Sequence, residues 1–230
     1  MPTYGQFCPV AKAAEIIAER WTPLILRELL LGSRRFNELE SGLPHISRAL
    51  LVSRLRALER AGVVARRPGL GRRGLEYHLT PAGEALRPVI DLLGEWGQRW
   101  ANQDIRSGDI DPGLLMWDMR RRINRDQLPP RRVVVQFDFR GAYIESWWLV
   151  LEPGEVSVCL EPPGFDLDLL VTADTLSLHR VWIGRLSLAG ALRNDLIQLD
   201  GPIELVHAFP HWLALSSFAH IPPARLPRPS

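Results

Sequence analysis

Arginines are concentrated in one stretch of the chain and could bind an anionic surface. Residues 34–73 contain ten arginines and three acids, a local net charge of +7, whereas the whole chain carries only +2. Guanidinium groups at this density can neutralise nucleic-acid phosphates, although a charged run is often only a solvated face. The charge therefore suggests two alternatives, a nucleic-acid site or a solvated surface, and the elements that carry the arginines discriminate between them.

The central element of this stretch is a predicted helix that begins after Ser47 and reaches Ala61. Ser47 is a good N-cap, and Gly62 can end the helix. Three leucines at positions 51, 55 and 58 recur with helical spacing, so this face should lie in the core. The opposite face, the cap and the two arginines before the helix form the predicted DNA-binding set: Arg34, Arg35, Ser47, Arg48, Ala49, Val52, Ser53 and Arg56.

Arg48 is the first candidate for reading a base. The major groove admits one α-helix, and an arginine near the helix N-terminus can bind guanine O6 and N7 together. Ala49 and Val52 could contact a thymine methyl group, whereas Arg56 is better placed for a phosphate. An amphipathic helix with a solvated arginine face would have the same pattern, so this helix alone does not decide.

The preceding segments supply the elements that would position this helix. Helices are predicted over residues 9–18, over 22–31 with Thr22 as the N-cap, and over 34–40. Residues 41–44 read Ser-Gly-Leu-Pro and break the chain before the fourth helix. A short helix, a turn and a longer helix are the order of a helix-turn-helix.

A β-hairpin with a basic tip is predicted next. Residues 63–67 and 76–79 have strand patterns, and the loop between them carries Arg72 and Arg73, which we add to the DNA-binding set. The loop also matches G-x-G-x-x-G. A dinucleotide site would require a helix after the last glycine, whereas a strand is predicted here, so we interpret the loop as a wing.

A long helix from Thr80 to about Gln103 is predicted after the hairpin, with a kink or split at Pro88. Its apolar residues form a stripe at helical spacing: Val89, Leu93, Trp96 and Trp100. The stripe could pack on the protein's own first helix or on a second copy of the chain. We favour a homodimer, which would pair two recognition helices on a two-fold site.

Several short motifs in this half resemble the HxlR-type winged helix-turn-helix regulators over about residues 8–101. The matching segments are Cys8-Pro9-Val10-Ala11, Arg20-Trp21-Thr22, Leu26-Arg27-Glu28-Leu29, Arg35-Phe36-Asn37-Glu38-Leu39, Leu55-Arg56-Ala57-Leu58-Glu59, Tyr77-His78-Leu79-Thr80-Pro81-Ala82-Gly83 and Leu86-Arg87-Pro88-Val89. The resemblance implies a dimeric bacterial regulator, often a repressor, that places its fourth helix in the major groove and its wing on the backbone. Some members sense oxidants through a cysteine at the position of Cys8, so redox sensing is an alternative function.

The second half changes from helices to strands after residues 105–109, which we take as the boundary between domains 1–104 and 110–225. Strands are predicted over 132–139, 142–151, 156–160 and 167–172 as an antiparallel meander, followed by three helices and one further strand. The predicted fold class is therefore α+β, a mainly α winged helix-turn-helix domain with a β-hairpin wing followed by an α+β antiparallel-sheet domain.

Segments of this half resemble the sterol carrier protein type 2-like domain. They are Val171-Thr172-Ala173-Asp174, Trp182-Ile183-Gly184-Arg185-Leu186-Ser187, Leu199-Asp200-Gly201-Pro202 and Ala208-Phe209-Pro210-His211-Trp212-Leu213. The resemblance implies an apolar tunnel and a small hydrophobic effector that would change DNA affinity. A filled structural module is one alternative, and a lipid carrier or enzyme with a vestigial helix-turn-helix is another.

Other classes of function find little support in the chain. Nucleophile-elbow, Walker and zinc-protease motifs are absent, so we predict no catalytic residue and no cofactor. His207 and His211 have helical spacing but no evident third ligand, so we predict no metal site. There is no apolar run of membrane-spanning length, and two cysteines with no secretory signal predict a reducing cytoplasm.

Overall fold

The computed structural model describes residues 3–69, 74–101 and 105–224. The chain divides into two compact units, Met1–Gly94 and Glu95–Ser230. Each unit has its own hydrophobic core. The proposed domain limits, 1–104 and 110–225, stay a prediction.

The first unit contains six helices and one hairpin within the described residues. They are α1 (Pro9–Ile17), α2 (Thr22–Leu30), α3 (Phe36–Ser41), α4 (Arg48–Arg60), β1 (Val64–Pro68), β2 (Leu75–Leu79), α5 (Pro81–Glu84) and α6 (Arg87–Trp96), which starts in this unit and ends in the second. A π-helical turn, Gly97–Ala101, continues α6. The order of helix, turn and longer helix followed by a hairpin agrees with the predicted helix-turn-helix, and the strand β2 confirms that the G-x-G-x-x-G loop does not open a helix.

Two predicted helix starts were wrong. Thr22 is the first residue of α2 and not its cap, because Trp21 occupies the cap position with a left-handed φ of 77°. The third helix begins at Phe36 because Arg35 is extended, and the Glu38 carboxylate accepts the backbone N–H groups of Arg34 and Arg35 at 2.7 and 3.0 Å. The split predicted at Pro88 is present directly before it, since α5 ends at Glu84 and Pro88 lies in the first turn of α6.

The fourth helix is held by the core of the first unit, as its leucine spacing predicted. Leu51, Leu55 and Leu58 are at most 1% exposed, and the core beside them includes buried residues of α2. Ser47 Oγ accepts the backbone N–H of Leu50 at 3.3 Å, which confirms the predicted N-cap. One face of α4 is thereby fixed, and the opposite face is left to solvent.

Short hydrogen bonds connect the hairpin to the segment that follows α4 and to the residues that precede α3. Thr80 Oγ1 donates to the Gly62 carbonyl at 2.6 Å, and the backbone N–H of Tyr77 donates to the Arg34 carbonyl at 2.8 Å. A Cβ atom at Gly83 would lie 2.3 Å from the Val63 carbonyl oxygen, so only glycine permits this approach. These contacts fix the hairpin beside α3 and α4.

The second unit has a five-stranded sheet and four helices in its described part. The elements are α7 (Pro112–Arg121), β3 (Val133–Arg140), β4 (Glu145–Glu152), β5 (Glu155–Cys159), β6 (Leu169–Asp174), α8 (Thr175–Trp182), α9 (Leu188–Arg193), β7 (Ile197–Asp200) and α10 (Ile203–Trp212). Asp111, Asp174 and Ser187 accept backbone N–H groups as caps of α7, α8 and α9. An α+β unit was therefore correctly predicted.

The sheet is mixed, and the predicted antiparallel meander was wrong at one pairing. Strand order is β5-β4-β3-β6-β7, and β6 runs parallel to β3, with Val135 opposite Leu169. The connection from β5 to β6 crosses two strands, so β6 joins the free edge of β3 in the same direction as β3. Alternation along each strand identifies the buried face but not the neighbour, which is why the sequence did not reveal this crossover.

Aromatic side chains fill the core of the second unit. Phe137 on β3 lies 6.2 Å from Phe209 on α10, and Phe209 lies 5.9 Å from Trp212, measured between ring centroids. All three are at most 1% exposed. Trp182 Nε1 donates to Asp118 at 2.8 Å, which joins α8 to α7. Two of the five tryptophans of this half, Trp182 and Trp212, are therefore buried core residues.

No helix in the described part of the chain combines the length and the apolar composition needed to cross a membrane.

Candidate nucleic-acid interface

The solvent face of α4 carries the predicted recognition residues together. Ser47, Arg48, Ala49, Ser53 and Arg56 are exposed, and Val52 is half-buried. Because the leucine face of the same helix is buried, these six side chains share the only face that a duplex could reach on α4. The structure thus brings together the central part of the predicted set.

Arg48 is oriented by two residues of the preceding helix. Its guanidinium lies 5.2 Å from the centroid of the Phe36 ring, and its Nη1 lies 3.4 Å from Glu40 Oε2. The side chain of Arg48 is nevertheless 73% exposed. A stacked and singly paired arginine at the N-terminus of an exposed helix retains donors for a base edge.

A shallow depression of about 560 Å³ lies beside Arg48. It is lined by Phe36, Arg48, Ala49, Val52 and Arg56. The lining thus combines the apolar side chains of Phe36, Ala49 and Val52 with two arginines, which suits a ligand that is anionic overall but has an apolar part.

Several other arginines are engaged by carboxylates, which lowers the charge available to a ligand. The pairs are Arg35 with Glu76 at 3.7 Å, Arg54 with Glu19 at 2.8 Å, and Arg66 with Glu59 at 3.3 Å. Within residues 3–69, 74–101 and 105–224, no carboxylate pairs with Arg56. Among the described residues, Arg56 is thus an exposed arginine beside the depression that no carboxylate engages.

Arg34 is held differently from the other members of the predicted set. Its Nη1 donates to the Leu29 carbonyl at 2.5 Å and to the Ser33 carbonyl at 3.2 Å. The guanidinium thus satisfies carbonyl groups at the end of α2, where helix carbonyls lack partners. A structural role accounts for Arg34. The tip residues Arg72 and Arg73 lie outside the described residues, and their place in the set stays a prediction.

A buried ion pair fixes the turn that leads into α4. Glu28 is 1% exposed and accepts from Arg27 Nη2 at 2.9 Å and from Ser33 Oγ at 3.2 Å. Arg27 Nη2 also donates to the Gly42 carbonyl at 3.1 Å. A Cβ atom at Gly42 would lie 1.9 Å from Glu28 Oε2. The turn after α3 therefore rests directly on the carboxylate of Glu28.

The predicted dimerisation stripe is exposed along one helical run. Val89, Leu93, Trp96 and Trp100 are 44%, 52%, 59% and 43% exposed, and Leu92 beside them is 63% exposed. Only Leu86 and Ile90 of this region contact the core of the first unit. The exposure speaks against burial of the stripe on the protein's own first helix.

Cys8 lies at the N-cap position of α1, and its side chain is partly exposed. The backbone N–H groups of Ala11 and Val10 near its sulfur lower the pKa of the Cys8 thiol below the ordinary value. A thiolate is favoured there because a helix N-terminus stabilises negative charge.

Sequence reasoning did not identify three of the residues that shape this site. Phe36 and Glu28 belong to short motifs of the family resemblance, and Glu40 directly follows one of them, but no spacing rule indicates that Phe36 stacks on Arg48. The pairing of Glu28 with a turn glycine depends on the close approach of two helices. In the described part of the chain, no group of three metal-ligating side chains is present, and His207 and His211 lie exposed on α10.

Helix order, an exposed arginine-bearing helix and the adjoining hairpin define a winged helix-turn-helix protein. The family model described as HxlR-like helix-turn-helix matches residues 16–105. The HTH-type transcriptional regulator YvaP of Bacillus subtilis is 40% identical over 114 residues, covering 48% of this chain and 96% of its own length. The chain therefore belongs to the HxlR-like helix-turn-helix family.

Two further proteins resemble the same part of the chain. The HTH-type transcriptional regulator Rv3095 of Mycobacterium tuberculosis is 44% identical over 92 residues, covering 40% of this chain and 58% of its own length. A solved structure of the redox regulator HypR in its oxidised form is 32% identical, with a TM-score of 0.39, and the match covers 43% of this chain and 100% of that one.

Proposed function

We propose that the protein is a DNA-binding transcriptional regulator without enzymatic activity, and that it acts as a homodimeric repressor. The observation that carries the proposal is the exposed face of α4, where Arg48 is stacked on Phe36 beside Arg56, for which the described part of the chain provides no carboxylate partner. The family of the first unit and the regulators similar to it support DNA as the ligand. The exposed apolar stripe of α6 and its π-helical turn supports a second copy of the chain as the dimer partner.

Fluorescence anisotropy with duplex DNA tests the proposal. The full chain is titrated onto the duplex upstream of its own gene and onto a scrambled duplex at two salt concentrations. Tight binding that is selective and falls with salt supports a regulator, since neutralised phosphates release counterions. Binding that is absent or insensitive to salt, repeated with duplexes selected from a random pool, would contradict it.

Arg48→Ala is expected to weaken binding to the preferred site by about 5- to 150-fold, equivalent to roughly 1–3 kcal/mol, and largely to spare non-specific DNA. Arg56→Ala is the matched control on the same face. It should weaken both duplexes equally and reduce the salt slope by about one, because it is expected to contact phosphate. Equal loss on every sequence for Arg48→Ala would remove it from base reading.

A second candidate function is redox sensing through Cys8, favoured by its position at the start of α1 and its lowered pKa. Since the pKa of the folded thiol lies below its ordinary value, the thiolate persists to lower pH than in an unfolded chain. Alkylation by iodoacetamide near neutral pH should therefore be faster in the folded protein than in urea. Oxidation should change DNA affinity, and Cys8→Ser should abolish that change. An equal response of parent and variant would exclude this sensor.

The second unit is either a filled structural module or a binding domain for a small hydrophobic effector. The contacts among Phe137, Phe209 and Trp212 favour a filled module over an open apolar tunnel. A small hydrophobic effector stays a prediction. Thermal-shift screening with apolar ligands tests it, and a flat response across the panel would favour the structural module.

A further inference from the structure

The depression beside α4 is lined by apolar and basic side chains. Phe36 of α3 and Ala49 and Val52 of α4 are its apolar lining, which we call its apolar walls, and Arg48 and Arg56 are its basic lining. Phe36 was not among the residues that the sequence indicated. The candidate base-reading surface is therefore formed by residues of both α3 and α4.

Phe36 and Glu40 together set the direction of the Arg48 side chain. The ring lies under the guanidinium at 5.2 Å, and the carboxylate binds Nη1 at 3.4 Å. Both contacts come from α3, one turn apart, so the guanidinium is drawn toward the depression. An arginine that is 73% exposed would otherwise sample many rotamers. Its Nε and Nη2 edge can then bind guanine O6 and N7.

The chemistry of the major groove indicates which group fits the apolar walls. Among unmodified bases, thymine alone presents a methyl group in the groove, and side chains such as alanine, phenylalanine and the threonine methyl group contact it there. A methyl group next to a guanine on the same strand would lie beside the guanidinium that reads that guanine. The depression offers apolar atoms at this place and positive charge around it, which complements the phosphates.

We propose that Phe36, Ala49 and Val52 form a binding site for the 5-methyl group of a thymine adjacent to the guanine read by Arg48. Phe36 acts in two ways, as a wall for the methyl group and as a positioning residue for Arg48. This inference rests on the proposed function, because it assigns a base step to the same DNA-binding face.

Deoxyuridine substitution tests the methyl site, since deoxyuridine differs from thymidine by the methyl group alone. The preferred duplex is first selected from a randomised pool, and each thymine is then replaced in turn. Affinity should fall about four-fold at a thymine next to a guanine, as expected for one buried methyl group, and should not change at flanking thymines. Anisotropy gives the ratio of dissociation constants for each pair of duplexes.

Protein variants test whether Val52 and Phe36 cause the loss of affinity on deoxyuridine substitution. Val52→Ala should bring the uridine-to-thymine ratio close to one, whereas Arg60→Ala, exposed at the other end of the same helix, should leave it unchanged. Phe36→Leu should lower the uridine-to-thymine ratio of dissociation constants and also weaken the preference for guanine. A loss of folded structure alone would weaken binding to all duplexes equally. Val52 is half-buried on a helix surface, so its variant should fold even if the Phe36 variant does not.

The outcomes separate this inference from the function on which it rests. Selective binding with a ratio near one at every thymine would overturn the methyl site and leave the regulator intact. Failure to select any sequence from the pool would overturn both. A four-fold ratio that persists in Val52→Ala and Phe36→Leu would place the methyl contact elsewhere and contradict the assignment.

Discussion

Glu28→Ala is expected to lower the free energy of unfolding of the first unit by about 2 kcal/mol, because the change removes a buried carboxylate that accepts hydrogen bonds from a charged group. Glu28 is 1% exposed, and its loss removes the carboxylate oxygens that accept from Arg27 and from the Ser33 hydroxyl. Hydrogen exchange of peptides from α2 to α4 in the full chain, followed through a urea titration, measures this unit separately from the other.

Glu84→Ala provides the matched control for Glu28→Ala. Glu84 also pairs with an arginine, Arg87, at 3.3 Å, but both side chains are about half exposed. Its removal should cost less than 1 kcal/mol. Gly42→Ala should also destabilise, since its Cβ would meet the Glu28 carboxylate, and this cost should be smaller in the Glu28→Ala background. Equal effects of the Glu28 and Glu84 changes would refute a structural role of the buried pair.

Trp96→Glu is expected to raise the dimer dissociation constant by at least about 100-fold, equivalent to roughly 2.7 kcal/mol, because buried tryptophans dominate protein interfaces. Trp96 is 59% exposed in the single chain and lies at the centre of the α6 stripe. A glutamate there would place two like charges across a two-fold interface. Sedimentation velocity over a concentration series measures the change.

Ile203→Glu is the control for Trp96→Glu, because Ile203 is also 59% exposed and also lies on a helix, α10. It should leave the dissociation constant unchanged. If the parent chain sediments as a monomer at micromolar concentration, the dimer is wrong. If both variants dissociate alike, the stripe is not the interface.

Periodic and capping patterns were sufficient to predict most of the fold. The leucines of α4 have i, i+4 and i+7 spacing, and Ser47 and Gly62 mark its ends, so one buried face and one open face were predicted correctly. The direction of β6 could not be predicted in this way. Its pairing with β3 depends on a crossover through residues 160–168, whose Pro-Pro-Gly segment is equally compatible with a hairpin turn to a neighbouring antiparallel strand.

The candidate site was predictable to the level of the helix face, but not to the level of contacts. Exposure of Arg48 and Arg56 follows from the same periodicity that buries the leucines. The stack of Arg48 on Phe36 and the ion pair with Glu40 depend on the angle between α3 and α4, which is set by the turn that rests on Glu28. Local charge counting also overstated the basic surface, because Glu19 and Glu76 lie outside the counted stretch yet pair with its arginines.

The parallel pairing of β3 with β6 has a consequence for the order of folding. In the first unit, β1 and β2 are neighbours along the chain, and Val64 meets Leu79 after a short loop. In the second unit, Val135 can pair with Leu169 only after the intervening β4–β5 segment has been synthesised. Non-local pairing slows folding, and the N-terminal part leaves the ribosome first. We therefore expect that the helix-turn-helix is complete on the nascent chain while the central strand of the sheet still lacks one neighbour.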